Sequence, residues 1–277
     1  MIKKFIDKLL AKATPGGRKA AAAPFGKREE VPASAHGIDP RRVDQHAADV
    51  VHTLKNAGFE AYIVGGAVRD LLLGLKPKDF DVATSATPEQ VRAEFRNARI
   101  IGRRFKLVHI HFGREIIEVA TFRANHPQND EEEDSNQSSR NESGRILRDN
   151  VYGSIEDDAV RRDFTCNALY YAIEDFSVRD YVGGYQDVQA RTMRLIGDPE
   201  TRYREDPVRM LRAVRLAAKL DFTIEPATAA PIPLLAPLLG EAAPARLFEE
   251  MRKLFLSGHA VASFERLEAH GLLGALL

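Results

Sequence analysis

The sequence predicts an α+β head followed by a helical region. Three observations carry that prediction. Between about residues 60 and 181, short apolar runs with strand character are mixed with short helical patterns. From Arg202 onward the patterning is helical alone, broken by Pro226, Pro231, Pro233, Pro237 and Pro244. No internal repeat is evident, and strands mixed with helices followed by helices alone is the order of an α+β chain.

Taken in order, residues 1–38 read as a flexible basic tail. Met1–Leu10 could form a short amphipathic helix, and an Ala/Pro/Gly/Lys/Arg-rich stretch follows. Asp39 and Pro40 supply an N-cap and a first helical position, Val43, Ala47, Val50, Val51 and Leu54 an apolar stripe, and Gly58 a stop. Residues 60–64 read as a buried strand entering the Gly65-Gly66 turn, 67–73 as a helix and 79–83 as a strand. Thr87-Pro88-Glu89 opens a capped helix to about Asn97. Residues 99–101, 106–112 and 115–122 are strands, with a hairpin turn at Gly113-Arg114. Residues 125–145 contain no aliphatic residue and include five consecutive acids, which predicts a disordered loop. Helical patterning returns at 154–172, a strand at 177–181 and a turn at Gly183-Gly184. The predicted division is a head over 39–190 and a helical region over 191–277.

Composition narrows the function classes. The 277 residues are 44% hydrophobic and 29% charged, which excludes a wholly disordered or collagen-like chain. No apolar run approaches the ~20 residues that span a bilayer, so no membrane role is expected. The start has no secretory h-region or cleavage site. Cys166 is the single cysteine, so an intrachain disulfide and a cysteine zinc cage are excluded, and a reducing, cytoplasmic location fits. Forty basic residues balance forty acidic ones, so any nucleic-acid role must rest on local patches.

The strongest local cluster is Gly65-Gly66-Ala-Val-Arg69-Asp70 followed by Asp79-Phe80-Asp81. Residues i and i+2 of a strand share a face, so Asp79 and Asp81 point together. Two carboxylates that close call for a cation, and oxygen ligands suit Mg²⁺. A Gly-Gly turn before a helix offers backbone N–H groups to a triphosphate, and Arg69 can add a charged contact. Alone, a D-x-D is usually a solvated strand edge and a Gly-Gly a plain turn; their combination favours the site. Glu118 shares its strand face with Ile116 and Ala120, so it either joins the metal site or pairs with an arginine.

Two later segments add polar groups. Asp157 to Leu169 sets Arg161, Arg162, Asp163, Thr165 and Asn167 beside an apolar stripe. Read functionally, Arg162 contacts phosphate or sugar and Asp163 belongs to the catalytic network; read structurally, the segment is a salt-bridge cluster. Cys166 reads as a small buried residue rather than a nucleophile. Asp206-Pro207 is an N-cap with proline at N1, and Asp206, Arg209, Arg212 and Arg215 recur every three residues. An isolated stripe of this kind is usually a solvated helix face. An acceptor-only Asp with a donor-only Arg can also imitate a base-pairing edge.

Together these motifs resemble the class II tRNA nucleotidyltransferase and bacterial poly(A) polymerase family, from about Gly58 to the end of the chain. Gly65 to Asp81 looks like its metal-binding motif. Arg161 to Ala168 is similar to its sugar-recognition motif, with Cys166 where an aliphatic is usual. Gly183 to Asp187 resembles the head–neck link, Glu205 to Arg209 the amino-acid template that pairs with the incoming base, and Ala245 to Lys253 a helix-stabilising motif. The stretches Ile100–His109, Val151–Glu156 and Thr201–Arg212, and the basic tail, are closer to the poly(A) polymerase branch.

The resemblance implies a nucleotidyltransferase-type head with a mixed or antiparallel sheet, a helical neck and the start of a helical body. It implies template-independent addition of AMP from ATP to RNA 3′-OH ends. Asp79 and Asp81 would hold two Mg²⁺ ions, with Mn²⁺ an acceptable substitute and Asp163 or Glu118 assisting. Gly65, Gly66 and Arg69 would cradle the triphosphate and Arg162 the sugar or phosphates. Asp206 and Arg209 would read adenine, with Arg212 and Arg215 on phosphate. Arg103, Arg104 and Lys106 form a basic edge suited to RNA backbone. RNA-decay and RNA-chaperone proteins are candidate partners. Members of this branch are longer, so the apolar end at Leu277 is expected to be that of a shortened chain. The alternatives are CCA addition to tRNA and a non-catalytic fragment that binds ATP or RNA.

Overall fold

The computed structural model describes residues 28–102, 106–124, 138–140, 146–149 and 151–276. In the head the elements are β1 (Glu29–Val31), α1 (Ala33–His36), α2 (Gln45–Asn56), β2 (Ala61–Val64), α3 (Gly66–Leu72), β3 (Asp81–Thr84) and α4 (Pro88–Glu94). Then come β4 (Ala98–Ile101), β5 (Leu107–Phe112), β6 (Glu115–Thr121), β7 (Ser138–Arg140), β8 (Ile146–Asp149), α5 (Ile155–Arg161), β9 (Leu169–Tyr171), β10 (Val178–Asp180) and α6 (Gly184–Gln189).

Eight strands form one sheet in the order β1-β10-β9-β2-β3-β6-β5-β4. Every pairing is antiparallel except β3 with β6, which run parallel with Asp81 opposite Glu118. That pair is parallel because α4 and the β4–β5 hairpin intervene and bring the chain back in the same direction. On one face Val50, Val51 and Leu54 of α2 are fully buried against the sheet with Ile63 and Val82. On the other, Tyr62, Phe122, Tyr170 and Tyr181 pack with Ile155 and Ala159 of α5. Their rings meet mostly edge to face, as at Tyr62–Tyr170 and Tyr170–Tyr181.

Several expectations change at this level. Residues 29–36 are not tail: β1 pairs along β10, and His36 Nε2 lies 2.7 Å from the Phe176 carbonyl. A three-residue strand with one apolar side chain leaves no readable pattern, and its pairing with β10 is what defines it. Residues 1–27 lie outside the described residues. Asp39 caps only a three-residue 3₁₀ turn, Pro40–Arg42. The helix starts five residues later at a second capping acid, Asp44, which accepts from the Ala47 N–H at 2.9 Å. The expected strand at Asp79 begins at Asp81. The helix expected over 154–172 ends at Arg161, and a 3₁₀ turn (Thr165–Asn167) and β9 follow. β9 lies between β2 and β10 and is buried on both faces, so no apolar–polar alternation marks it as a strand. Of the acidic stretch, 125–137 and 141–145 lie outside the described residues, while β7 and β8 pair with each other.

The second region holds β11 (Thr192–Met193), α7 (Pro199–Glu205), α8 (Val208–Leu220), β12 (Thr223–Ile224), α9 (Pro226–Ala229), α10 (Ile232–Leu235), α11 (Pro244–Leu256), α12 (Ala260–Ala269) and α13 (Leu273–Leu276). It is helical apart from the two-residue parallel pair β11–β12, which ties the exit of the head to the end of α8. Helix α8 is its axis: Met210, Leu211, Ala213, Val214 and Ala217 are all fully buried. Among the described residues, no helix is long and apolar enough to cross a membrane.

Candidate active site

The site lies where β2, β3, β6 and the turn after α5 meet the first turns of α8. Strand β2 ends at Val64 and is followed by Gly65, whose φ of +81° and ψ of −135° belong to glycine. The Gly65 N–H donates to the Leu169 carbonyl at 3.2 Å, so it is not free for a phosphate as expected; the first-turn N–H groups of α3 remain as the turn's donors. A side chain at Gly65 would start 3.7 Å from Arg162 Nη1. Arg69 is 4% exposed and does not reach into solvent. Its guanidinium donates to Asp70 at 2.9 and 2.6 Å and to the Asn167 side-chain oxygen. Arg69 therefore braces the glycine turn against the 165–167 turn.

Asp81 stands opposite Glu118 in the parallel β3–β6 register, and Asp79 lies two residues before the strand. Asp81 is exposed at the start of β3, yet desolvation by the surrounding protein and the charges of Glu118 and Asp79 push its carboxyl up to about 6, against the opposing pull of Arg162. Glu118 stands in register with Asp81 and also lines the cavity with Arg123, and its carboxylate lies 3.4 Å from His109 Nε2. Asp79, Asp81 and Glu118 offer an all-oxygen set of a kind that fits a hard divalent cation. A tighter cluster lies elsewhere. Among the described residues, the ligand atoms of Asp44, His46 and Glu115 all fall within 4.8 Å of one another, at the start of α2 and the β5–β6 hairpin.

Beside Glu118 opens a cavity of about 380 Å³. Its walls carry Arg123, Arg161, Arg162 and Arg212 against Glu118, Asp158 and Asp163, with Asn167. Arg162 donates to Asp158 at 3.1 and 2.9 Å, to the Tyr170 hydroxyl at 3.1 Å and to the Asn167 carbonyl at 3.5 Å. These bonds hold it charged against its burial. Asp163 accepts from Arg209 Nε at 2.9 Å and pairs with Arg212 Nη1 at 2.6 Å. Burial opposes its charge but is outweighed by Arg212, Arg209 and Arg202, and its carboxyl falls to about 2. Asp163 thus clamps head to neck; it is not among the charges that set Asp81. Arg202 adds to the clamp, donating to the Arg161 and Arg162 carbonyls at 2.8 and 3.0 Å.

The expected template residues are present at the α7–α8 joint, each already engaged. Asp206 accepts two bonds from Arg246 of α11, at 2.9 and 2.7 Å. Arg209 donates to Asp163, to the Arg202 carbonyl at 2.7 Å and to Glu205 at 3.2 Å. Arg212 faces the cavity, and its buried Nε has no hydrogen-bond partner. Arg215 does not: it bonds Glu250 of α11 at 2.8 Å. Lys106 pairs with Glu89 at 2.9 Å beside the cavity residue Leu107, while Arg103 and Arg104 lie outside the described residues. Burial pushes the Cys166 thiol up to about 12, which makes it inert as a nucleophile. The sequence reading did not select Arg123, Asp158 or Arg246; only Asp158, four residues before Arg162, carried a readable spacing.

Known proteins resemble this chain over most of its length. Residues 61–194 match a family model described as the poly A polymerase head domain, and 221–277 one described as a probable RNA and SrmB-binding site of polymerase A. Poly(A) polymerase I of Salmonella typhimurium is 55% identical over 268 residues, which is 97% of this chain and 57% of that protein. The CC-adding tRNA nucleotidyltransferase of Halalkalibacterium halodurans is 38% identical over 80% of this chain and 52% of its own. Among solved structures, the Bacillus stearothermophilus CCA-adding enzyme in complex with CTP superposes with a TM-score of 0.70 at 35% identity, over 83% of this chain and 53% of that one. The chain spans little more than half the length of these relatives. On these matches the chain belongs to the bacterial poly(A) polymerase and class II tRNA nucleotidyltransferase family.

Proposed function

We propose that the chain transfers AMP from ATP to RNA 3′-OH ends without a template. The 3′ oxygen attacks the α-phosphorus, the α–β phosphoanhydride bond breaks, the hydroxyl proton leaves and pyrophosphate is released. The observation that carries the chemistry is Asp81 in register with Glu118 at the edge of an arginine-walled cavity. Preference for poly(A) over CCA addition rests on 55% identity to a poly(A) polymerase I against 38% to a tRNA nucleotidyltransferase.

Asp79, Asp81 and Glu118 are the residues that would hold Mg²⁺, which would acidify the 3′-OH and stabilise the departing pyrophosphate. The guanidinium groups of Arg162 and Arg212, both on the cavity wall, supply donors for the phosphates. Asp206 offers an acceptor to the adenine amine and Arg209 a donor to its neighbouring ring nitrogen. Asp163 holds Arg209 and Arg212 rather than touching substrate. Lys106, with Arg103 and Arg104, forms the edge along which RNA backbone runs, and the setting is the cytoplasm.

The test is to incubate the chain with Mg²⁺, a short unstructured RNA and each nucleoside triphosphate separately. An ATP-only ladder is expected. Limited addition from both CTP and ATP on a tRNA lacking its CCA end would favour CCA addition. ATP binding without any extension would reduce the reading to a nucleotide-binding fragment. An Asp81→Ala variant should bind RNA and incorporate no AMP.

A further inference from the structure

Asp44, His46 and Glu115 meet on the other face of β6 from Glu118. Glu115 and Glu118 are three residues apart in that strand, and an odd separation puts them on opposite faces. Glu115 therefore shares its face with Ile117 and Val119, whose side chains lie in the core with those of α2. Asp44 caps α2, and His46 stands in the first turn of that helix. The ligand atoms of the three residues all fall within 4.8 Å of one another.

Three features set this group apart from a solvated acidic patch. Its donors are an imidazole nitrogen and carboxylate oxygens, brought together from elements 69 residues apart, with His46 Nδ1 2.7 Å from Glu115 Oε2. The side chains are held in place. The His46 ring stacks on Phe112, with centroids 4.2 Å apart and planes 12° from parallel, and Phe112 is the cross-strand partner of Glu115. Asp44 Oδ1 accepts from the Ala47 N–H at 2.9 Å, which leaves Oδ2 for a cation. Finally, among the described residues neither carboxylate pairs with a lysine or an arginine; Glu115 pairs with His46 alone. Two carboxylates this close call for a positive charge between them.

We infer that Asp44, His46 and Glu115 form a second metal site, for a borderline divalent ion such as Zn²⁺ and separate from the Asp79, Asp81 and Glu118 set. An imidazole ligand selects Zn²⁺ over Mg²⁺, which takes oxygen ligands. Ligand bonds of about 2.0–2.2 Å place tetrahedral neighbours about 3.5 Å apart, a spacing these side chains reach by small rotations, and water takes the fourth position. The bound ion fastens the start of β6 to the start of α2.

The experiment measures Zn²⁺ binding to the whole chain in excess Mg²⁺ by equilibrium dialysis. Co²⁺ serves as a spectroscopic stand-in, and thermal unfolding is recorded with and without Zn²⁺. His46→Ala, Glu115→Gln and Asp81→Asn variants are compared. The unmodified chain and Asp81→Asn should each retain one Zn²⁺ and show the intense visible absorption of four-coordinate Co²⁺. At about a hundredfold excess over its Kd, Zn²⁺ should raise their melting temperatures by about 5 °C. His46→Ala and Glu115→Gln should bind Zn²⁺ more than about tenfold more weakly, since even the partners of metal ligands are worth that much, and should lose the Co²⁺ absorption. Their metal-free melting temperatures should stay close to that of the unmodified chain, because the two side chains are 42% and 46% exposed. His46→Asn, which keeps a polar side chain but no ring nitrogen, replaces His46→Ala if the latter unfolds. Binding of equal strength in the His46 and Glu115 variants, or none in the unmodified chain, overturns the site and leaves His46 and Glu115 as a surface ion pair. Binding lost in Asp81→Asn but kept in His46→Ala places the ion on the other carboxylate set and overturns it equally.

Discussion

Replacing Asp163 by Ala separates a clamp from a metal ligand. Asp163 is 14% exposed and bonds two neck arginines from the head side, at 2.9 and 2.6 Å. Its carboxyl falls to about 2 in the fold against 3.8 in the unfolded chain. At ~1.4 kcal/mol per pKa unit, its ionised form contributes about 2 kcal/mol to stability at neutral pH. Removing it also leaves Arg209 and Arg212 facing each other without their shared anion, and breaking a buried pair from one side costs about 3–5 kcal/mol. Glu205 still holds Arg209, and Arg212 is one-third exposed, so the expected loss is about 3 kcal/mol. The assay is urea unfolding at pH 7.5, comparing midpoints at constant slope. The sign follows from a depressed pKa. The contribution is complete above about pH 4 and is lost as pH falls toward 2, so the gap between the unmodified chain and the variant narrows only in acid. A loss under ~1 kcal/mol, or a gap indifferent to acid, would refute the clamp. A variant that gained stability and lost divalent-cation binding would return Asp163 to the metal site.

Three further outcomes follow from single contacts. Because the folded-state pKa of Asp81 is raised to about 6, the stability tied to its protonated form is present below about pH 4 and lost as pH rises through 6. Thermal melts without divalent cation should show that fall between about pH 4 and 6 in the unmodified chain and a smaller one in Asp81→Asn. A methyl group at Gly184 would start 2.1 Å from the Thr165 carbonyl oxygen, so Gly184→Ala should cost more than about 2 kcal/mol, read as a lowered denaturation midpoint. Asp180, 1% exposed, accepts from the N–H groups of Val182, Gly183 and Tyr185 at 3.0, 3.0 and 2.8 Å. Asp180→Ala leaves buried donors without an acceptor and should cost about 2–4 kcal/mol in the same assay.

The parts of the fold visible in the sequence are those whose signals are local. Strand β2 entering the glycines, the Thr87-Pro88 cap of α4 and the hairpin between β5 and β6 are each written in a few adjacent residues. What was misread depends on partners distant in the chain. Leu169–Tyr171 has no alternation because it is covered on both faces. Glu29–Val31 is a strand because β10, some 150 residues later, offers an edge. The same division runs through the site. The spacing of Asp79, Asp81 and the glycines is local and readable, but the partner of each arginine is not. Arg69 carries the charge a phosphate site would want, yet it is buried on Asp70 and Asn167, the latter 98 residues away. The Arg246–Asp206 pair joins residues 40 apart and exists because α11 packs against the α7–α8 joint.

The arginine stripe Arg209-Arg212-Arg215 shows why even spacing misleads. A step of three residues turns an α-helix through about 300°, so each arginine lies about 60° back from the one before. Over two steps the drift is about 120°, enough to move a side chain from one neighbouring element to another. The contacts follow that rotation. Arg209 meets Asp163 of the head, Arg212 meets the other oxygen of Asp163 at the cavity wall, and Arg215 has passed the cavity and meets Glu250 of α11. A single phosphate-binding row would need a period near 3.6, alternating steps of three and four. The period of three instead distributes charge around α8, so one helix holds the head, presents a donor to the cavity and anchors α11. The stripe's regularity reflects the several surfaces that α8 must join, and its middle member, Arg212, is the one that lines the cavity.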